Sequence, residues 1–115
     1  MIQVVGKRWG SEHWITNEAE YCAKILEIYP GMRCSLHFHP RKKETFYVQK
    51  GQVKLEQWDV RGIPFEEILF PGDTRTIYPK TQHRFSSIEG ATVLEISTHH
   101  EDSDVVRFTD SGPIE

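Results

Sequence analysis

The sequence lacks the long apolar segment that a membrane-spanning helix requires. No stretch approaches the roughly 20 consecutive apolar residues needed to cross a bilayer, and the opening MIQVVGKRWG is too short and polar for a secretory signal. Basic residues are not in excess, with 14 Lys and Arg against 17 Asp and Glu. The formal net charge of -3 disfavours nucleic acid as a partner. We therefore expect a cytoplasmic protein that engages neither membranes nor nucleic acid.

Cysteine is scarce, since Cys22 and Cys34 are the only two in 115 residues. They do not form a CxxC motif, and both lie in apolar runs typical of strands. Two buried free thiols are therefore expected, rather than a disulfide or a pair of metal ligands. A hydrophobic content of 37% is enough for one core, and the length is that of a single domain.

A helical period of 3.6 is also missing, because apolar positions recur with a period of two. Strands are predicted at 21–29, 45–49, 53–58, 67–70, 74–78, 83–87 and 91–98, and residues 105–108 form either one more short strand or a packed arm. Turn signals separate them at 30–31, 61–62, 71–73 and 89–90. This pattern predicts an all-β sandwich or barrel. We expect one domain over 1–115, with an N-terminal arm over about 1–18 and a C-terminal arm over about 99–115.

The most informative segment is GMRCSLHFHPRKKETFYVQKG, which spans residues 31–51. Residues two apart on a strand share a face, so His37 and His39 should point the same way. A turn then brings the chain back to Glu44, which opens the next strand, and His83 is well placed to join from a distant strand. Three imidazoles and one carboxylate suit a divalent first-row metal: manganese, iron, cobalt, nickel or zinc. Such a set leaves coordination positions open for substrate or water.

These residues resemble the first motif of the cupins. That motif reads Gly, five residues, His-x-His, three or four residues, Glu, six residues, Gly. It is matched in full by Gly31, His37, His39, Glu44 and Gly51. The resemblance implies a cupin jelly-roll β-barrel. It also implies one divalent transition metal, bound by His37, His39, Glu44 and His83.

The second cupin motif is matched more loosely, around Gly72, Pro79 and His83. Lys80 stands where a Gly is common, and the Asn that often follows the His is absent. Cupins of this size often pair through exposed strands, so the resemblance also implies a homodimer.

Two narrower resemblances point to sugar chemistry. The runs KRWGSEHWI, FPGDTRTIYPKTQHRF and EDSDVVRFTD resemble the cupin domain of the bifunctional, type II mannose-6-phosphate isomerases. His37 stands where that family has Gln, and the tail after Asp110 departs from its Arg-Tyr-Gly-Arg segment. HFHPRKKE, residues 37–44, is similar to the His-Phe-His-x-x-Lys-x-Glu stretch of D-lyxose isomerases, which are metal cupins. Both resemblances imply an aldose–ketose isomerase of carbohydrate metabolism, acting on a small sugar or sugar phosphate.

Such an isomerase needs a general base that moves a proton between C1 and C2 of the sugar. Glu95, on the strand ATVLEIS, is one candidate if it faces the lumen. Lys42 is the other, and it could also contact a sugar oxygen. Arg33 shares the face of His37 by parity, so it could bind a phosphate or carboxylate of the substrate. The plain alternative for Lys42 is a solvated basic turn over residues 41–43.

Two further functions are compatible with the same four ligands. One is an iron-dependent dioxygenase, and the other is a non-catalytic barrel that binds a metal or a sugar. Trp9, Trp14 and Trp58 could stack on a sugar ring, although packing in the core or at a dimer interface is the simpler expectation. Nothing comparable supports His99 and His100 as ligands, and both are expected to be solvated.

Overall fold

A computed structural model describes residues 2–115, which form thirteen β-strands and no helix. The strands are β1 Gln3–Lys7, β2 Gly10–Asn17, β3 Cys22–Ile28, β4 Met32–Arg33, β5 His37–Phe38, β6 Glu44–Gly51, β7 Val53–Trp58, β8 Pro64–Leu69, β9 Thr74–Ile77, β10 His83–Ser87, β11 Ala91–Ser97, β12 Val106–Arg107 and β13 Gly112–Pro113. The all-β class predicted from the period-two pattern is confirmed. None of these residues belongs to a helix that could span a membrane.

The strands pair antiparallel in two sheets. The first has the order β1-β2-β3-β11-β6-β9. In the second, β10 pairs with β7 on one side, and β7 pairs with β8; on its other side β10 pairs with β4 and β5. Strands β13 and β12 then pair with β4 and β5, respectively. Neighbours in each sheet are often distant in sequence, as in a jelly roll.

Alternation along β3, β6 and β11 decides what faces the interior. Every second residue of β3 and β11 is buried, and in β6 the same holds for Glu44, Phe46 and Val48, as a period of two requires. Apolar residues from both sheets, among them Leu26, Phe46, Leu55, Phe85 and Val93, form one core. Elsewhere in the interior the same strands present Lys24, Glu44 and Glu95, which are buried and charged. The barrel therefore has an apolar part and a polar part.

Several predicted boundaries match the structure closely. Strands at 53–58 and 83–87 are found as predicted. The strand predicted at 67–70 instead spans Pro64–Leu69, because it pairs with β7 from Val53↔Leu69 to Trp58↔Pro64. The region expected as an N-terminal arm contains β1 and β2, which extend the first sheet from β3.

Cys22 and Cys34 are buried free thiols, as predicted. The Cys34 sulfur accepts a hydrogen bond from the backbone N–H of Phe85, at 3.3 Å. Burial raises the pKa of Cys34 to about 12, so this thiol stays protonated at neutral pH.

Gly51, the glycine that closes the first motif, lies at a close approach of two turns. Its φ is +76°, and a Cβ built there would lie 2.2 Å from the backbone oxygen of Gly90. Gly62 has a similar φ of +80°, but a Cβ there would have no heavy atom within 4 Å. The two glycines share the same backbone conformation and differ in the space around them.

We expect Gly51→Ala to destabilise the protein more than Gly62→Ala. The change at Gly62 should cost only the left-handed strain of an L residue, about 1–2 kcal/mol. At Gly51 the clash with Gly90 should add roughly 1–3 kcal/mol, because the backbone has to move. Urea unfolding of both variants measures this difference, and equal losses in the free energy of unfolding would contradict it.

Candidate metal centre

Three histidines converge at one end of the barrel interior. Antiparallel pairing of β5 with β10 places His37 opposite His83, and His39 follows two residues after His37 on the same side. One ring nitrogen from each of the three residues lies within 4.8 Å of those of the other two. The pairing of His37 with His39 by alternation, and the approach of His83 from a distant strand, are both observed.

Hydrogen bonds to the backbone orient the three rings. Each Nδ1 lies 2.8 Å from a carbonyl oxygen, that of Ser35 for His37, Asp104 for His39 and Thr81 for His83. A carbonyl oxygen only accepts, so each Nδ1 carries the proton and donates it. The Nε2 lone pairs are left to face the cluster, as in most histidines that bind metals.

Glu44 completes the cluster, and its carboxylate lacks adequate donors. The residue is only 2% exposed. Its Oε1 lies 3.1 Å from Nε2 of His83, which bears a lone pair when His83 is neutral. Its Oε2 has no hydrogen-bond partner among the described residues, although the Lys42 Nζ is 3.4 Å away and the His39 Nε2 is 3.5 Å away. Electron pairs therefore face one another, and a divalent cation between them would satisfy all of these groups.

The electrostatics of the cluster also suit a cation. Burial, with a further contribution from His83, lowers the pKa of His37 to about 3. Burial lowers the pKa of His39 as well, and the negative charge of Glu44 offsets only part of that shift. Burial alone would raise the pKa of Glu44, but His83 and Lys42 together hold it well below its usual range. His37, His39 and Glu44 thus hold the protonation states that metal binding needs.

The turn before His83 is tied to His39. Lys80 has a φ of +67°, which is the left-handed conformation that glycine adopts without strain. Its backbone N–H donates a 2.8 Å hydrogen bond to the carbonyl oxygen of His39. Lys80 therefore keeps the turn that a Gly commonly makes in this motif, and the turn joins two of the converging histidines.

A cavity of about 630 Å³ opens beside the cluster. This volume lies in the range of roughly 300–1,000 Å³ usual for small-molecule sites. Besides the cluster, the walls present Glu12, Trp14, Lys42, Glu95 and His100. The space is far larger than an ion requires, so the cavity can hold an organic molecule next to the cluster.

Lys42 and Glu95 meet in this cavity. They are 4% and 5% exposed, and Nζ of Lys42 lies 3.4 Å from Oε2 of Glu95. The alternative of a solvated turn is therefore wrong for Lys42, which points inward, while Arg41 and Lys43 are exposed. Burial alone would lower the pKa of Lys42, but Glu95 and Glu44 raise it above its ordinary value. Burial raises the pKa of Glu95, and the charge of Lys42 offsets part of that rise.

The predicted placement of Arg33 beside His37 is wrong. The chain takes four steps from Arg33 to His37, whereas their partners on β10, Ser86 and His83, are three steps apart. One extra residue within 34–36 forms a bulge and reverses the face to which side chains point. Arg33 does not line the cavity, and its guanidinium lies 3.8 Å from the Glu115 carboxylate.

The expectation that His100 is solvated is also wrong. Its side chain is 16% exposed, and Nε2 lies 2.9 Å from Oδ1 of Asp102. Its Nδ1 lies 3.4 Å from Nζ of Lys42, and its backbone N–H donates to Oδ1 of Asn17. These contacts join segments about 60–80 residues apart. A motif of residues close in sequence therefore cannot identify His100. His99, by contrast, is 39% exposed, as expected.

The tryptophans divide between core and cavity. Trp9 is buried with its ring 5.0 Å from that of Phe85, in an edge-to-face contact. Trp14 lines the cavity together with Glu12, two residues before it on β2. Trp58 is half-buried on β7 and does not line the cavity. No strand is predicted from the sequence in this region. Alternation along a strand there would have placed Glu12 and Trp14 on the inward side of β2.

Comparisons with known proteins agree with this architecture. The cupin domain profile matches residues 24–99. A D-lyxose/D-mannose isomerase of Thermosediminibacter oceani is 35% identical over an alignment that covers 82% of this chain and 64% of the relative. A D-lyxose ketol-isomerase of Cohnella laeviribosi is 36% identical with the same coverage. The chain thus spans about 64% of the length of these curated relatives.

The fold has close structural counterparts. Oxalate decarboxylase from Bacillus subtilis superposes with a TM-score of 0.84, over 93% of this chain and 30% of that one, at 16% identity. A variant of the same decarboxylase, in which one tryptophan is replaced by phenylalanine, gives a TM-score of 0.83, at 17% identity and with the same coverage. At such identities the likeness shows the fold alone. The profile match over residues 24–99 establishes that the chain belongs to the cupin family.

Proposed function

We propose that this protein is a metal-dependent aldose–ketose isomerase acting on a small sugar or sugar phosphate. The observation that carries the proposal is the pair of groups on one cavity wall: a cluster with the orphaned Glu44 carboxylate, and the buried Lys42–Glu95 pair next to it. The isomerase names of the curated relatives support it. Because the chain spans only part of their length, their sugars are taken here as the first substrates to test.

His37, His39, Glu44 and His83 would hold one divalent ion: manganese, iron, zinc, nickel or cobalt. The ion would supply Lewis-acid polarisation of the carbonyl and neighbouring hydroxyl oxygens of the sugar. The four residues suit such an ion for two reasons. Hydrogen bonds through Nδ1 orient the three imidazole rings, and one oxygen of Glu44 receives no hydrogen bond.

Glu95 is the better candidate for the base. An aldose becomes a ketose when the C2 proton is moved to C1 and the hydroxyl proton on O2 is moved to O1. Glu95 lines the cavity and is held by Lys42, while Glu44 is assigned to the metal. Lys42 sits between two carboxylates, which favour its charged form, so it acts as a hydrogen-bond donor to a substrate oxygen rather than as the base.

The segment after β11 supports the ligands. The carbonyl of Asp104 accepts the proton of His39 Nδ1, and its buried carboxylate accepts the backbone N–H of Arg41 at 2.9 Å. The backbone N–H of Phe108 donates to the carbonyl oxygen of Leu36, and β12 pairs with β5. Asp104 thus positions His39 and the turn that leads from it to Glu44.

We expect the purified protein to bind one divalent transition ion per chain. His39→Ala and His83→Ala should lose affinity by more than the roughly 10–100-fold that follows loss of a supporting residue. His13→Ala is the matched control, because His13 lies on β2 and does not line the cavity. Elemental analysis and calorimetric titration measure this, and a wild-type protein that binds none of the five metals would refute the metal centre.

Asp104→Ala keeps the backbone carbonyl that accepts from His39 but removes the carboxylate that ties this segment to the Arg41 N–H. Metal binding should weaken by about tenfold, because the carbonyl that orients His39 is held less firmly. In Asp104→Ala the backbone N–H of Arg41 also loses its acceptor, which should lower the free energy of unfolding by about 1–3 kcal/mol. Asp104→Asn keeps the acceptor oxygen and should restore most of both. If the Asn and Ala variants behave alike, the carboxylate oxygen is not what holds this turn.

Glu95→Gln should lower kcat for aldose isomerisation by about 10²–10⁴-fold while the metal content stays unchanged, because only the proton-transfer group is removed. Glu89→Gln, at an exposed turn, is the control. The assay scores ketose formation from D-lyxose, D-mannose and their phosphates, with and without metal. Oxygen consumption by the iron form would instead indicate a dioxygenase, and sugar binding without turnover would indicate a binding protein.

A further inference from the structure

The cavity has a second polar wall that the proposed reaction does not use. Glu12 and Trp14 lie on β2, three strands away from β6 in the order β2-β3-β11-β6. At about 4.8 Å per strand, the two backbones are separated by roughly 14 Å along the curved sheet. Side chains of β2 and β6 therefore line the same cavity at two separate places on one curved sheet.

The Glu12 carboxylate is held through one of its two oxygens. Its Oε1 accepts a 3.1 Å hydrogen bond from Nε1 of Trp14, and it lies 3.6 Å from Nζ of Lys24 and 4.0 Å from Nζ of Lys7. Within residues 2–115, the hydrogen bond that this carboxylate accepts is made by Oε1, and Oε2 accepts none. The side chain is 14% exposed and lines the cavity, so Oε2 is left as an acceptor for a ligand.

The charge of Glu12 is already balanced by its surroundings. Lys24 is buried, and its Nζ lies 4.2 Å from the centre of the Trp14 ring. The Trp14 ring also makes an edge-to-face contact with His100, at 5.0 Å between the ring centres. Because Lys24 and Lys7 supply positive charge, a ligand need not be a cation to satisfy Glu12. A neutral hydrogen-bond donor, such as an alcohol hydroxyl, fits best.

We infer that Glu12 forms a distal subsite that accepts a hydrogen bond from a hydroxyl of a polyhydroxylated ligand, at the end remote from the His37–His39–His83 cluster. The inference rests on the proposed function and makes Glu12 a specificity-determining residue of the same cavity. A ligand too short to reach Glu12 leaves Oε2 unpaired, whereas a five- or six-carbon chain can span both walls. Glu12 therefore selects for chain length.

The test compares the metal-loaded protein of residues 1–115 with its Glu12→Gln variant. The Gln keeps an oxygen for Trp14 but places an NH₂ donor where Oε2 accepts. For five- and six-carbon aldoses, KM should rise about tenfold while kcat changes less than about twofold, since one charged hydrogen bond is lost. For a four-carbon aldose, KM should stay the same. Glu18→Gln, exposed after β2, is the matched control and should resemble the wild type.

A binding measurement separates this inference from the isomerase proposal. Calorimetry with erythritol, xylitol and mannitol needs no turnover, and Glu12→Gln should weaken binding of the two longer alditols only. Equal binding of xylitol and mannitol by the wild type and the variant, or no alditol binding by the wild type, overturns the subsite. A wild type that binds xylitol with the expected Glu12 dependence but isomerises no aldose overturns the isomerase proposal and leaves the subsite standing.

Discussion

The interior of this barrel is organised around buried acceptor atoms of Glu44, His39 and His83, whose electron pairs face one another. The Glu44 carboxylate, with an oxygen that has no hydrogen-bond partner, stands against the Nε2 atoms of His39 and His83. A buried acceptor without a donor costs about 1–3 kcal/mol, and more when it is charged. Such a cluster persists because the surrounding sheets hold each ring through Nδ1. The scaffold thus bears a local cost that a bound cation would remove.

Charge in the interior is arranged in matched groups rather than spread evenly. Lys42 lies between Glu44 and Glu95, and Lys24 lies beside Glu12. Each ammonium offsets the burial of a carboxylate that would otherwise be costly to ionise. The apolar residues Leu26, Phe46, Phe85 and Val93 belong to the core that continues from this polar part. The same strands therefore contribute to stability in their apolar part and to the candidate site in their polar part.

Much of this could be predicted from the sequence, because strand alternation is a local rule. It predicted the inward faces of β6 and β11, and with them Glu44 and Glu95. The cupin spacing identified the residues that the structure brings together as His37, His39, Glu44 and His83. Both signals depend only on residues close in sequence, or on one motif.

The remaining features depend on long-range strand pairing, which the alternation of residues along one strand does not reveal. One extra residue within 34–36 forms a bulge that turns the Arg33 side chain to the outer face of the sheet. The residue types in that segment do not predict a bulge. His100 enters the cavity through contacts with Asn17 and Lys42, and Glu12 enters through pairing of β2 with β3. Long-range pairing decided each of these.

The support that Asp104 gives to His39 links two positions 65 residues apart. Contacts of that separation form late, because the chain must close a long loop before the contact can reward it. The first motif can therefore emerge, and even adopt its strands, while His39 still lacks its acceptor and its ring is free to turn. Competence for ligation therefore depends on a contact that closes a 65-residue loop, so a chain that has not yet made this contact carries the whole cupin motif without the acceptor that orients His39.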